Sequence, residues 1–178
     1  MTSKVITGIG SRSTPQLILG KMRDIGEWCR KNNIFVRSGH ADGADWAFEA
    51  GAQEKCIAYL PWKSFNKDLI SKAALCDVSR EKEMFRAYDQ LVDEFHPAPG
   101  RLTRGARLLM RRNCCQILGL TLEHPTQAVI CWTDQGGLRG GTAFAMRIAV
   151  SRDIPIINMW DVDNYDTVID FIKEMTGG

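Results

Sequence analysis

The sequence has few of the residues that build metal centres or oxidised scaffolds. It contains only three histidines, and none of its six cysteines forms a Cys-x-x-Cys pair. The histidines do not fall at zinc-finger spacing, so we expect no metal and no cofactor. Such scattered cysteines are typical of reduced, mostly buried thiols, which predicts a cytoplasmic protein.

Long apolar runs and a strong excess of one charge are also missing. No apolar run approaches the roughly 20 residues that a membrane span needs, and the one near the amino terminus is too short for a signal peptide. The 23 basic and 21 acidic residues leave a formal net charge of +2. Binding to a nucleic acid or a membrane would therefore require a local patch.

What the chain does have is short apolar runs that alternate with helical patterns. The predicted strands are Val5–Ile9, Ile34–Val36, Lys55–Leu60, Ala128–Trp132 and Ile154–Asn158. This alternation predicts a mostly parallel sheet covered by helices on both faces. The 178 residues suit one domain, residues 1–178. Residues 61–100 are less regular, with a short helix expected near Leu69–Leu75, and we expect them to form a lid or insertion.

Three of the predicted strands lead into turns rich in glycine and polar residues. These turns are Gly8–Arg12, Ser38–Asp45 and Gly136–Thr142. Ligands of open parallel sheets bind outside the carboxyl ends of the strands, so the turns should meet at one cleft. Glycines let a backbone approach a ligand, and the helix that follows directs free N–H groups toward an anion. The pattern predicts a phosphate and ribose site.

In the first turn, Ser11 is placed to donate a hydrogen bond and Arg12 to bind a phosphate through two nitrogens. We expect Thr14 to cap the next helix, with Pro15 as its first residue. The turn lacks the third glycine of the dinucleotide-binding fingerprint. The alternative is a tight strand-to-helix turn that needs glycine only for packing.

The second turn places carboxylates at the same edge of the sheet. Asp45 is our candidate for the ribose diol, and Asp42 for the cap of the next helix. Glu49 follows Asp45 by one helical turn, so the two would share acid–base work if the protein is an enzyme. The alternative for Glu49 is a solvated helix face. His40 is a candidate ligand contact that fits a loop hydrogen bond better than catalysis.

The third turn holds four glycines within a few residues of a helix start. We expect Gly140, Gly141 and Thr142 to form a second phosphate-binding nest, the alternative being a plain loop. Arg139 either reaches into the site or faces solvent.

The helix predicted from Leu102 carries an arginine stripe, defined here as Arg104, Arg107, Arg111 and Arg112. The stripe is either a solvated face or a contact with phosphate or a partner, with Arg112 and Asn113 reaching the ligand. Trp62 and Phe65 would stack on a base, or else anchor their segment to the core.

Five segments in chain order resemble the SLOG superfamily, which includes the Smf/DprA DNA-processing proteins, the LOG phosphoribohydrolases and the YspA/YpsA-like proteins. They are GIGSRSTP, VRSGHADGADWAFEAGA, RNCCQILGL, GGTAFAMRIA and IPIIN, between about residues 5 and 160. The resemblance implies a Rossmann-like three-layer α/β/α fold. It also implies a cleft for a nucleotide or nucleotide-derived ligand, used in some members for sensing. With Gly8 and His40 added from the turns, the implied binding residues are Gly10, Ser11, Arg12, Ser38, Gly39, Asp45, Arg112, Asn113, Gly140, Gly141 and Thr142.

The branches of this superfamily imply different functions. The phosphoribohydrolases follow their glycine–threonine motif with a catalytic glutamate, whereas Thr142 is followed by Ala143-Phe144-Ala145. N-glycosidic hydrolysis would therefore depend on Asp45 or Glu49. The DprA branch implies single-stranded DNA binding, for which the arginine stripe is the candidate surface. Our main expectation is a YspA-like nucleotide-binding protein that forms a homo-oligomer.

Overall fold

The computed structural model describes residues 3–137 and 140–178. Its strands are β1 (Val5–Gly8), β2 (Phe35–Ser38), β3 (Cys56–Leu60), β4 (Ala74–Asp77), β5 (Val129–Cys131) and β6 (Ile156–Asn158). Its α-helices are α1 (Gln16–Lys31), α2 (Ala44–Ala52), α3 (Phe85–Phe95), α4 (Arg104–Leu118), α5 (Gly140–Ser151) and α6 (Tyr165–Thr176).

The six strands form one sheet in the order β4-β3-β2-β1-β5-β6. Every neighbouring pair is parallel, which confirms the predicted Rossmann-like α/β fold. The chain proceeds outward from β1 to β4 and then returns to place β5 against the other side of β1. That return creates a switch point between β1 and β5, where open α/β sheets bind their ligands.

Helices cover both faces of the sheet, and each face has its own apolar core. On one face, Met22 of α1, Phe48 of α2 and Ile172 of α6 are fully buried in a single cluster. On the other, Ile117 of α4 and Phe144 of α5 share a second cluster. Burying a side chain of this size stabilises the fold by about 1.5–3 kcal/mol. These two clusters hold the strand ends, and hence the turns that follow them, in fixed positions.

The six cysteines are all free, and five of them are buried. Burial raises the pKa of the Cys29 thiol to about 12, so this group is a poor nucleophile. Over residues 3–137 and 140–178, no helix is long and apolar enough to cross a membrane. The same residues contain no group of three or more His, Cys, Asp or Glu side chains that would hold a metal ion.

Residues 61–100 contribute to the sheet and to one helical layer. The short helix expected near Leu69–Leu75 is wrong: residues 69–73 are irregular, and Ala74–Asp77 pairs with β3 as the edge strand β4. Hydrogen bonding to β3 outweighs local helical preference there. The segment continues into α3, which packs against α4. Its role as a lid stays a prediction.

Two predicted helix caps are also wrong. The first helix begins at Gln16 after Pro15, and the Thr14 hydroxyl donates instead to the Ser11 carbonyl at 2.6 Å. Gly43, with φ of +85°, precedes α2 in place of Asp42. The backbone of these turns therefore follows a path that side-chain capping rules do not anticipate.

Gly51 lies where α2 crosses α1, whereas Gly20 of α1 has open space around it, so alanine should have opposite effects at the two positions. A Cβ at Gly51 would collide with the Arg23 carbonyl and lie 2.8 Å from the Glu27 nitrogen, whereas a Cβ at Gly20 would meet nothing within 4 Å. We expect Gly51→Ala to lower the free energy of unfolding by about 1–3 kcal/mol. Gly20→Ala, the matched control, should raise it by about 0.5–1 kcal/mol. Urea denaturation of both variants measures this, and equal effects would contradict the packing described.

Candidate functional site

A cavity of about 720 Å³, here called the cleft, opens where β1, β2 and β5 end. It therefore lies at the switch point of the sheet. Nine of the predicted binding residues line it: Gly10, Ser11, Arg12, Asp45, Arg112, Asn113, Gly140, Gly141 and Thr142. The fold thus brings all three glycine-rich turns and the Arg-Asn pair of α4 to one place. Arg139, with Leu138, falls outside the described residues.

The other predicted binding residues do not line the cleft; they are Gly8, Ser38, Gly39 and His40. Gly8 lies behind it, where a Cβ would collide with the Phe48 ring. Ser38 is fully buried and donates its hydroxyl hydrogen to the Asp45 carbonyl at 3.1 Å. These two positions shape the backbone that carries the cleft residues.

Asp45 and Arg112 form a buried pair at the base of the cleft. Asp45 is 5% exposed and Arg112 is 6% exposed, with 3.8 Å between Arg112 Nη1 and Asp45 Oδ2. Gln116 adds a donor, since its Nε2 lies 3.3 Å from the same carboxylate oxygen. The pair joins α2 to α4 across the sheet end.

Burial dominates the electrostatics of this pair. It raises the pKa of Asp45 to about 6, although the Arg112 charge and the Gln116 hydrogen bond oppose the rise. Burial also lowers the pKa of Arg112, an effect opposed by Asp45 and reinforced by the nearby positive charge of Arg12. Two guanidinium groups therefore face one shared region, and an anion there would relieve their repulsion.

Gly39 is required for the close approach of these groups. The Arg112 guanidinium donates to the Gly39 carbonyl. A Cβ at this position would collide with Arg112 and lie 2.6 Å from Asp45 Oδ2. Gly39 therefore acts behind the cleft, by leaving space for the buried pair.

The glycine–threonine turn supplies a helix amino terminus to the cleft. Helix α5 begins at Gly140, which has φ of +73°, a conformation that glycine adopts at low cost. Asn113 Nδ2 donates to the Gly141 carbonyl at 3.1 Å and so fixes this turn against α4. The first N–H groups of α5 lack intrahelical acceptors and favour an anion.

His40 and Glu49 form a second buried pair, away from the cleft lining. Both are 1% exposed, and His40 Nδ1 lies 2.9 and 3.1 Å from the two carboxylate oxygens of Glu49. The solvated helix face considered for Glu49 is therefore wrong. His40 Nε2 lies 3.2 Å from the Asn66 carbonyl, and Asn66 Nδ2 donates to the His40 carbonyl at 2.9 Å. This pair ties the turn after β2 to the chain that follows β3.

Trp62 and Phe65 are also placed away from the cleft lining. Their rings pack edge to face with 5.2 Å between centroids, and Phe65 is 7% exposed. The Arg112 guanidinium lies over the Phe65 ring at 5.5 Å, which is within cation–π range. These contacts match the alternative prediction, in which Trp62 and Phe65 anchor their segment to the core.

The arginine stripe is largely neutralised by α3. Arg111 forms a two-nitrogen pair with Asp89 at 2.8 and 2.7 Å. Arg107 lies 3.3 Å from Asp89 and 3.0 Å from Asp93. Hydrogen bonding to Arg111, more than any other effect, lowers the pKa of Asp89. Of the four arginines, only Arg104 is exposed without a carboxylate within ion-pair distance in the described residues.

Several residues of the cleft escaped the sequence analysis. Gln116 lies four residues after Arg112, so helical spacing would have found it. Thr133 and Asp134 follow β5 and also line the cleft, but no pattern distinguishes them from ordinary loop residues.

Comparison with known proteins supports the fold. No protein-family model and no curated protein matches the sequence. A solved structure that resembles it is DNA processing protein A from Helicobacter pylori, described for its single-stranded DNA binding mode, with a TM-score of 0.56 and 16% identity. The match covers 88% of this chain but only 65% of that one. At this identity, the likeness establishes a shared fold.

The pKa of Asp45 predicts a pH-dependent stability. Because the folded pKa of about 6 exceeds the unfolded value of about 3.9, the native state holds an extra proton between these values. The contribution of Asp45 to stability is thus complete below about pH 4 and is lost as the pH rises through 6, by about 2–3 kcal/mol. Asp45→Asn should remove this part of the pH dependence in denaturation measured from pH 4 to 7. Asp42→Asn, which changes an exposed carboxylate of the same turn, should keep it; an unchanged profile for Asp45→Asn would contradict the assignment.

Proposed function

We propose that the cleft binds a nucleotide or nucleotide-derived ligand through its phosphate and ribose. The observation that carries this proposal is the convergence of Arg12, Arg112 and the amino terminus of α5 on one cavity. Two cations and a helix dipole aimed at the same space favour an anion. The volume of about 720 Å³ falls within the range of small-molecule sites.

In this proposal, the ligand phosphate lies between Arg12 and the Gly140–Thr142 turn. Arg12 is exposed at the cleft, so its guanidinium is free to close over a ligand. Arg112 is buried and already donates to the Gly39 carbonyl. It therefore supplies charge from a fixed position, while Arg12 supplies the adjustable contact.

In the same proposal, the ligand ribose lies beside Asp45. This carboxyl reaches the cleft from α2 and keeps Gln116 as a partner. A carboxylate at the edge of a parallel sheet accepts hydrogen bonds from a ribose diol.

The arrangement supports binding more than catalysis. No acid follows Thr142, and Glu49 is committed to His40 in a buried pair. Of the two carboxyls considered for N-glycosidic hydrolysis, Asp45 alone lines the cleft, where Asp134 stands as a second carboxyl. We therefore propose a binding or sensing role within the SLOG superfamily, in a cytoplasmic homo-oligomer.

Calorimetry with AMP, ADP, ADP-ribose and ribose 5-phosphate tests the proposal. We expect at least one nucleotide to bind, and Arg12→Ala to weaken it about 10- to 100-fold, since a charged hydrogen bond contributes about 1.5–3 kcal/mol. Arg152→Ala is the matched control, because Arg152 is exposed just beyond the other end of α5. The proposal fails if none of these ligands binds, or if both variants bind equally well.

Single-stranded DNA binding is a second candidate, favoured by the likeness to DNA processing protein A. Arg107 and Arg111 are paired with acids of α3, so within the described part of the arginine stripe only Arg104 offers an exposed, unpaired charge to a DNA backbone. The DNA backbone would therefore bind mainly at the cleft, where Arg12 is exposed.

Fluorescence anisotropy with a labelled oligothymidylate separates the two candidates. DNA binding through the cleft should weaken steeply as salt rises, and Arg12→Ala should weaken it more than Arg107→Ala does. ADP should compete with the oligonucleotide. Nucleotide binding without any anisotropy change would dismiss the DNA candidate and leave the first proposal intact.

A further inference from the structure

A second pocket, of about 600 Å³, lies at the end of the strands opposite to the cleft. It is called the basal pocket below, and its described lining includes Val5, Phe35, Arg37, Ile57, Glu123 and His124. Val5 and Phe35 are the first residues of β1 and β2. Among the described residues, none lines both this pocket and the cleft. The basal pocket is therefore a separate cavity, and its volume falls within the range of small-molecule sites.

The floor of the basal pocket is an apolar part of the sheet. Val5 pairs with Phe35, and Arg37 pairs with Ile57, in the parallel register. Side chains two residues apart on a strand share a face, so Phe35 and Arg37 point to the same side of the sheet. Val5, Phe35 and Ile57 are each only partly buried. They therefore leave apolar surface beside Arg37 that a ligand would cover.

Arg37 is a buried cation without a carboxylate partner. It is 7% exposed, and within residues 3–137 and 140–178 no Asp or Glu lies within ion-pair distance of it. Burial lowers the pKa of Arg37, and the Tyr59 hydroxyl, rather than a carboxylate, has the largest opposing effect. Arg112, by contrast, has Asp45 at 3.8 Å. A buried charge is costly unless it is paired, so Arg37 lacks the compensation that Arg112 has.

The hydrogen bonds of Arg37 leave part of its guanidinium free. Nη1 donates to the His124 carbonyl at 2.6 Å and to the Ile117 carbonyl at 3.4 Å. These acceptors lie at the end of α4 and in the loop after it, where the helix dipole favours a cation. Nε, however, is buried without a hydrogen-bond partner in the described chain. The helix end therefore accounts for the contacts of Nη1 and leaves other N–H groups of Arg37 unpaired.

We propose that the basal pocket binds a small monocarboxylate with an apolar body, such as a medium-chain aliphatic acid or an arylalkanoic acid. The carboxylate pairs with Arg37, because the planar guanidinium matches the two oxygens of a carboxyl group. The apolar body covers Val5, Phe35 and Ile57 and is thereby removed from water. Glu123, the acid in the described lining, disfavours a ligand with two negative charges, such as a phosphate.

NMR titration of the ¹⁵N-labelled full chain with hexanoate, octanoate and 3-phenylpropionate tests this inference. We expect at least one acid to bind saturably and to shift the amide signals of Phe35, Arg37 and Ile57. The signals of Arg12 and Gly141 in the cleft should stay in place. The corresponding neutral amides, from hexanamide to 3-phenylpropanamide, should bind at least about 10-fold more weakly, because they lack the charge that pairs with Arg37.

Variants at the two charged positions separate the roles of charge and packing. Arg37→Met keeps an unbranched side chain and removes the charge, so it should weaken binding of the acid about 10- to 100-fold. Glu123→Gln removes the exposed acid of the lining and should strengthen binding about 2- to 5-fold. It keeps the test valid if Arg37→Met does not fold. Glu174→Gln, which changes an exposed carboxylate of α6 on the other face of the sheet, is the control and should bind as the wild type does.

Three results would overturn the inference. They are the failure of all three acids to bind, equal affinity for an acid and its amide, and amide shifts confined to the cleft. A folded Arg37→Met variant that binds the acid as tightly as the wild type would contradict it as well. Because the test uses no nucleotide, a cleft that fails to bind ADP would refute the proposed function and leave this inference standing.

Discussion

The cleft depends on the buried pair between Asp45 and Arg112. The two charges lie on helices from opposite faces of the sheet, and they meet only because Gly39 leaves room between them. Burying such a pair carries a large desolvation cost, which hydrogen bonds to Gly39 and Gln116 offset. A fold that needed only stability would pack this point with apolar side chains. The retained charges therefore fit the ligand site proposed above.

The sequence predicted the fold and the location of the cleft because both depend on local patterns. Glycine-rich turns after short apolar strands define the edge of a parallel sheet, and Asp45, Arg112 and Gly140 all line the cavity there. Sequence patterns do not predict strand β4, since its existence depends on pairing with β3 rather than on its own residues. That the cleft residues bind a ligand stays a prediction.

Sequence patterns do not predict which distant residues contact each other. Asp89 and Asp93 neutralise two arginines of α4 from another helix, and only the folded chain reveals that pairing. Helical spacing alone does not place Glu49, because His40 binds its carboxylate in the interior. Trp160 is an isolated aromatic in the sequence, and its place beside Trp132 arises from the β5–β6 pairing.

Within the described residues, the cleft combines the buried Asp45–Arg112 pair with an exposed arginine, Arg12, that is free to contact a ligand. The measurement that tests it most directly is a crystal structure of the protein grown with saturating ADP. The account predicts phosphate oxygens within hydrogen-bond distance of the Arg12 guanidinium and the first N–H groups of α5. An empty cleft, or ADP bound on another surface, would contradict it.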